Sequence, residues 1–202
     1  MRIEYLIPLV SYLLGSIPFG YLLVKSTEGK DIRAFGSGNI GATNVFRKSR
    51  LAGILTLVLD AGKGYLAVLL AGWLGGGIEW QAAAAVFAII GHIFTIWLRF
   101  KGGKGVATAA GMFLSITPLA FVFSLAAWLV MVALWRYISV GSIVGAIVLP
   151  VAVYFTNVGR VKGWESMFVV SLAVTVLVLA AHRNNIRRIL NGTERKFSIR
   201  GG

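Results

Sequence analysis

Long apolar runs alternate with short polar segments along this chain, and that alternation constrains the fold more than any other feature. The runs fall near residues 3–24, 51–74, 80–98, 105–135, 138–156 and 164–181. A bilayer's hydrocarbon core is about 30 Å thick and takes about 20 helical residues to cross. Inside it every backbone polar group must be bonded within the protein, so repeated runs of this length predict membrane-crossing helices. The expected fold class is all-α, a multi-pass integral membrane protein. Charged residues are only 13% of the chain, against about 25% in an average soluble protein. With 202 residues there is room for several spans and little else, so one integral membrane domain over 1–202 is expected. The N-terminus runs apolar to about Val24 without a small-residue cleavage site, which reads as a retained first span and not a signal peptide.

The run from Gly105 to Trp135 is too long for one span, at about 46 Å for 1.5 Å per residue. Pro118 interrupts it, and a proline pushes the residue before it out of helical geometry. A helix to about Thr117 and a second from Pro118 to Trp135 give about seven spans. The distribution of positive charge supports that count. With the N-terminus outside and the C-terminus in the cytoplasm, sixteen of the twenty lysines and arginines lie inside, three outside and Lys63 within a span. Six spans would leave eleven inside against eight outside. Gly141 and Gly145 form a small-xxx-small pair that either packs two helices closely or reflects the commonness of glycine in such helices.

A net charge of +13 raises nucleic acid as a partner, but the basic residues border apolar segments and no aromatic–basic recognition motif occurs. Inner-face topology and anionic lipid headgroups account for them, so membrane lipids are expected neighbours and nucleic acid is not. Cysteine is absent, which excludes disulfides, thiolate metal sites and a cysteine acyl-enzyme. No acidic or histidine cluster has metal-ligand spacing, and no Gly-x-Ser-x-Gly elbow is present. No metal or cofactor is expected.

Three polar segments carry the candidate chemistry. The first, SGNIGATNVFR from Ser37 to Arg47, brings small residues, amides and a guanidinium together, a combination suited to phosphate. The second, FKGGKGVAT from Phe100 to Thr108, sets Lys101 and Lys104 among Gly102, Gly103 and Gly105 ahead of a helix. Free N–H groups opening that helix would attract an anion. The third, HRNNIRRILNGTE from His182 to Glu194, places His182, Asn185 and Arg188 on one helix face. Each also has a plainer reading as a solvated loop, a flexible basic turn or a basic tail. Arg195, Lys196 and Arg200 are assigned to that tail.

Within the apolar runs, Asp60 and Lys63 lie three residues apart on one face. A charge at mid-membrane costs about 2.5–3.5 kcal/mol on insertion scales, so the two are expected to pair. His92 reads as a packed histidine. Ser139 and Ser142 either touch ligand or cap a helix.

Taken together these segments resemble the bacterial PlsY family, the acyl-phosphate:glycerol-3-phosphate acyltransferases. The resemblance extends over YLLGSIPFG (Tyr12–Gly20), SGNIGATNVFR, LDAGKG around Asp60 and Lys63, FKGGKGVAT, RYIS at Arg136, and the closing His182–Glu194 pattern. Thr95 stands where members commonly carry proline. The resemblance implies transfer of a fatty acyl group from acyl phosphate to the sn-1 hydroxyl of glycerol 3-phosphate. Lysophosphatidic acid and inorganic phosphate are then the products, in the first acylation of phospholipid biosynthesis. It implies an enzyme of the bacterial cytoplasmic (inner) membrane with its site loops on the cytoplasmic face, served by another enzyme that supplies acyl phosphate. It assigns Arg47, Lys104, His182 and Asn185 to catalysis. Ser37, Gly38, Asn39, Asn44, Gly102, Gly103, Thr108, Ser142, Arg183 and Arg188 are the expected substrate and phosphate contacts. A small anion transporter is the competing class, compatible with the intramembrane charges and the broken helix.

Overall fold

The computed structural model describes residues 3–197; Arg2, counted above on the outer side, and Arg200, assigned to the tail, lie outside them. The regular secondary structure of the described residues is all helical, with no strand among them. Six helical segments are long and apolar enough to cross a membrane: Ile3–Glu28, Arg50–Trp73, Ile78–Leu98, Pro118–Trp135, Ile138–Asn157 and Trp164–Ala181. The chain divides into two compact units, one up to Ser115 and one from Ile116.

In the first unit the opening run is interrupted where the sequence suggested continuity. Helix α1 spans Ile7–Ser16 and α2 spans Phe19–Glu28. Pro18 lacks an N–H and biases Ile17 towards extended geometry, so the helix breaks between them. A break exposes carbonyls, which an apolar surrounding penalises unless they are bonded. Both are met by side chains distant in sequence: Thr95 Oγ1 donates to Ser16 O at 2.6 Å, and Lys63 Nζ donates to Ile17 O at 2.7 Å. Against this broken helix pack α4 (Arg50–Trp73) and α5 (Ile78–Ile93), while the short α3 (Ala42–Lys48) packs on α4. The approach of α1 to α5 brings backbone against backbone. A Cβ at Gly15 would fall on the Ala88 carbonyl, and one at Gly91 on that of Tyr12. The unit closes with α6 (Val106–Ile116), whose final residue crosses the division.

The second unit begins where the sequence placed the break: Thr117 leaves helical geometry and α7 runs Pro118–Trp135. At 11 residues α6 is about 16 Å long, half a hydrocarbon core, so the count of seven turns on it. Only Ala120 of α7 is buried within the protein, and Leu119, Val122, Phe123, Leu129 and Leu134 face outward, as a lipid-facing helix requires. Its partner α8 (Ile138–Asn157) approaches through the two glycines the sequence singled out. A Cβ at Gly141 would come 2.7 Å from Val132 Cγ2, and Ser124 Oγ donates to Gly145 O at 2.7 Å. On the other side of α8 packs α9 (Trp164–Ala181), tied by Thr175 Oγ1 donating to Ala146 O at 2.6 Å. A short basic helix, α10 (Arg183–Leu190), follows directly.

Candidate active site

The first polar segment is a loop entering α3, and Asn44 organises it. Its side chain is buried and its Nδ2 donates to Phe35 O and Asn39 O, both at 2.9 Å, with a longer contact to Ile32 O. Its Oδ1 accepts from the Ser37 N–H at 2.9 Å. These bonds use the amide on the loop itself, so Asn44 shapes the segment and does not reach outward. Asn39 makes a local turn, its Oδ1 accepting from Gly41 N–H at 2.8 Å. Gly38 has φ +72°, a left-handed value that favours glycine, and its N–H is bonded to Phe35 O at 2.9 Å. The loop's amides at 37 and 38 are thereby engaged, contrary to the expectation that backbone near Gly38 would cradle an anion. What the segment presents is the exposed Ser37 and, in the last turn of α3, the half-buried Arg47.

The second segment turns back over the end of α5. Arg99 and Phe100 both take left-handed backbone, φ +55° and +61°, which costs non-glycine residues about 1–2 kcal/mol each. The strained pair reverses the chain, and Gly102 N–H then donates to Ile93 O at 2.9 Å and Gly103 N–H to His92 O at 3.0 Å. This corrects the expectation for the glycine amides. Those of Gly102 and Gly103 close the turn on α5, because the last carbonyls of a helix need partners in an apolar setting. The segment also carries the half-buried Lys104 and runs into the N–H groups that open α6. Thr108 is fully buried, with no hydrogen-bond partner for its hydroxyl among the described residues.

Beneath that turn lies the buried charge cluster. Asp60 Oδ1 and Lys63 Nζ pair at 2.8 Å with side chains 3% and 1% exposed, as their spacing predicted. His92 is buried beside them, its Nδ1 3.7 Å from Asp60 Oδ1. The sequence pointed to packing for His92 but not to this neighbourhood.

In the second unit the third segment forms a clasp around one carboxylate. Glu194 Oε1 accepts from Ser139 Oγ at 2.7 Å and Asn185 Nδ2 at 2.6 Å, while its Oε2 accepts from Arg188 Nε at 2.6 Å. Burial alone would raise its pKa, but the bonds from Ser139, Asn185 and Arg188 with the Arg188 charge prevail and hold it below the ordinary carboxylate value. Asn185 and Arg188 thus share the face the spacing predicted, and Glu194 is what gathers them. Nothing local in the sequence links it to Ser139, which lies 55 residues away. His182 ends α9, buried, with Nδ1 2.8 Å from Val178 O. A carbonyl can only accept, so Nδ1 carries the proton and Nε2 is the basic nitrogen of the neutral ring. Ser142 Oγ donates back to Ile138 O at 2.9 Å within α8 and so caps no helix end. Arg183 is exposed and outside the clasp.

An all-helical membrane protein with lipid-facing spans and basic, amide-bearing segments at its helix ends defines a narrow class. Comparison with known proteins fixes the class further. The glycerol-3-phosphate acyltransferase family matches residues 5–192. The chain is 47% identical to the glycerol-3-phosphate acyltransferase of Geobacter sulfurreducens over 195 residues, covering 96% of this chain and 97% of that one. It is 43% identical to that of Brucella canis, covering 94% and 91%. Two solved structures of PlsY, an integral membrane glycerol 3-phosphate acyltransferase, superpose closely. The glycerol 3-phosphate form has a TM-score of 0.87 at 35% identity, covering 96% of both chains. The lysophosphatidic acid form has 0.84 at 32%, covering 98% of this chain and 97% of that one. The chain belongs to the PlsY family of glycerol-3-phosphate acyltransferases. It is a membrane-embedded enzyme of lipid biosynthesis, and the transporter reading falls away.

Proposed function

We propose that this enzyme takes the acyl group from acyl phosphate and passes it to the sn-1 hydroxyl of glycerol 3-phosphate, releasing lysophosphatidic acid and inorganic phosphate. The observation that carries the reading is the set of cationic, amide-bearing segments at the helix ends: Arg47 closing α3, Lys104 just ahead of α6, and Asn185 with Arg188 gathered by Glu194. Acyl phosphate is a mixed anhydride, already activated at its acyl carbon, so positioning and charge neutralisation can supply most of the acceleration. The hydroxyl oxygen bonds to the acyl carbon, the bond from that carbon to the bridging phosphate oxygen breaks, and the hydroxyl proton ends on the released phosphate.

Each segment has a role in this account. Arg47 and Lys104 neutralise phosphate, with Ser37 and the N–H groups opening α6 assisting. His182, held by Val178 O, and Asn185, held by Glu194, orient glycerol 3-phosphate or its attacking hydroxyl. Arg188 and Ser139 support Asn185 through the same carboxylate. The chain works as one acyltransferase over 1–202, in the bacterial cytoplasmic membrane. It crosses seven times with α6 as the short pass, N-terminus outside and the three polar segments at the cytoplasmic side, where another enzyme supplies acyl phosphate.

Purified protein in lipid micelles tests the donor. Acyl phosphate with glycerol 3-phosphate should yield lysophosphatidate, and the corresponding acyl thioester should not. Product from the thioester alone would overturn the donor assignment.

A further inference from the structure

The buried Asp60–Lys63–His92 cluster takes no part in the chemistry above, yet its geometry bears on the glycine turn. The imidazole of His92 lies between two groups. Its Nδ1 edge faces Asp60, which is itself paired with Lys63, and Lys63 is anchored on Ile17 O at the break between α1 and α2. Its opposite edge faces Gly103. A Cβ built on Gly103 would collide with Nε2, and its next nearest atoms are Cε1 at 2.8 Å and Cδ2 at 3.0 Å of the same ring. The main chain adds a second tie, since Gly103 N–H is bonded to the carbonyl of His92 itself. The turn that delivers Lys104 therefore rests on one imidazole, from both sides of that residue.

We infer that His92, held in place by the Asp60–Lys63 pair, is a positioning residue that sets the seat of the Gly102–Gly103 turn and thereby the reach of Lys104 towards substrate phosphate. This rests on the reading of Lys104 as a phosphate-binding group. Three ionisable side chains in an apolar core are expensive to bury, and packed hydrophobic residues of similar volume are often as stable or more so. Retaining them fits a demand for fixed geometry better than a demand for stability. Gly102 provides the contrast. A Cβ there meets the main-chain carbonyls of His92 and Ile93, which no side-chain substitution can remove.

The test is a set of double-mutant cycles on the whole protein in lipid micelles, with kcat and both KM values measured per folded molecule. Gly103→Ala alone should lower kcat/KM by about 10-fold or more, and His92→Ala should have an effect of similar size. In the His92→Ala background, Gly103→Ala should add less than about 2-fold, because its methyl no longer meets the ring. Gly102→Ala should remain damaging in that background. In a Lys104→Ala background His92→Ala should lose most of its effect. Should His92→Ala fail to fold, His92→Asn serves for the same comparisons, since its side chain also ends short of the ring's far edge. A Gly103→Ala loss of equal size with and without His92 overturns the inference, as does wild-type acyl transfer by a folded His92 variant. A merely structural role would lower the folded yield while leaving both KM values unchanged. If Lys104→Ala itself is harmless, the phosphate reading fails first; if Lys104→Ala is impaired and the His92 variants are normal, only this inference fails.

Discussion

Replacing Glu194 by glutamine preserves the size of the group and removes the charge on which the C-terminal clasp is built. The carboxylate is 8% exposed and accepts bonds from Ser139, Asn185 and Arg188 at 2.6–2.7 Å. Hydrogen bonds to a charged partner contribute about 1.5–3 kcal/mol each. Arg188 is 37% exposed, so its ion pair belongs near the low, solvent-screened end of about 0–1 kcal/mol. Glutamine also turns an NH2 towards at least one donor, leaving that donor unmatched. A loss of about 2–4 kcal/mol in the clasp follows. Because Asn185 is oriented by the same oxygen, kcat/KM for acyl transfer should fall at least about 10-fold, at about 1.4 kcal/mol per decade. The assay pairs lysophosphatidate formation in micelles with thermal unfolding of the same sample. The pH dependence has a defined sign. A carboxylate whose folded pKa lies below its ordinary 4.5 contributes stability that is complete above 4.5 and is lost as pH falls through the folded value. Wild type should show this loss on the acid side, and Glu194→Gln should lack that contribution. Near-wild-type activity and stability in Glu194→Gln would refute the clasp.

Other outcomes follow from the same geometry. Lys104→Ala should lower kcat/KM by at least about 10-fold, with Lys104→Arg rescuing only in part because a planar fork differs from a compact ammonium; the exposed Lys196→Ala is the control and should change little. His182→Gln should reduce turnover modestly while Arg47→Ala abolishes it if the donor's phosphate takes the proton; complete loss in His182→Gln with a surviving Arg47→Ala would instead make the histidine the base. In this cysteine-free chain, Glu79→Cys and Arg160→Cys should both react with an impermeant thiol reagent from outside the cell; protection of either would reverse the proposed topology at that loop.

The apolar runs were legible as helices because each has the length a bilayer demands, and Pro118 marked its break by the chemistry of its missing N–H. Pro18 carries the same signal, but the apolar run continues unbroken past it to Val24 and hides the break at Ile17. What stabilises it comes from Thr95 and Lys63, 79 and 46 residues away, beyond any local pattern. The glycines of FKGGKG correctly marked a tight turn, but sequence could not tell which way their N–H groups face. They point to α5, bonding Ile93 O and His92 O. Spacing put Asn185 and Arg188 on one face of α10. Their common purpose needed Glu194 folded back beyond the helix end, which no helical period describes. His92 read as a packed residue, and its contact with Gly103 has a faint trace in the sequence: a glycine where a turn is laid over a ring.

The central claim is transfer of the acyl group from acyl phosphate directly to glycerol 3-phosphate. Acyl phosphate labelled with heavy oxygen at the bridging position, given to the purified enzyme with glycerol 3-phosphate, tests it most directly. The account predicts one phosphate released for each lysophosphatidate formed, with all of the label in the phosphate, because the bond broken lies between the acyl carbon and that oxygen. Label retained in a fatty carboxylate, or phosphate released without lysophosphatidate, would contradict it.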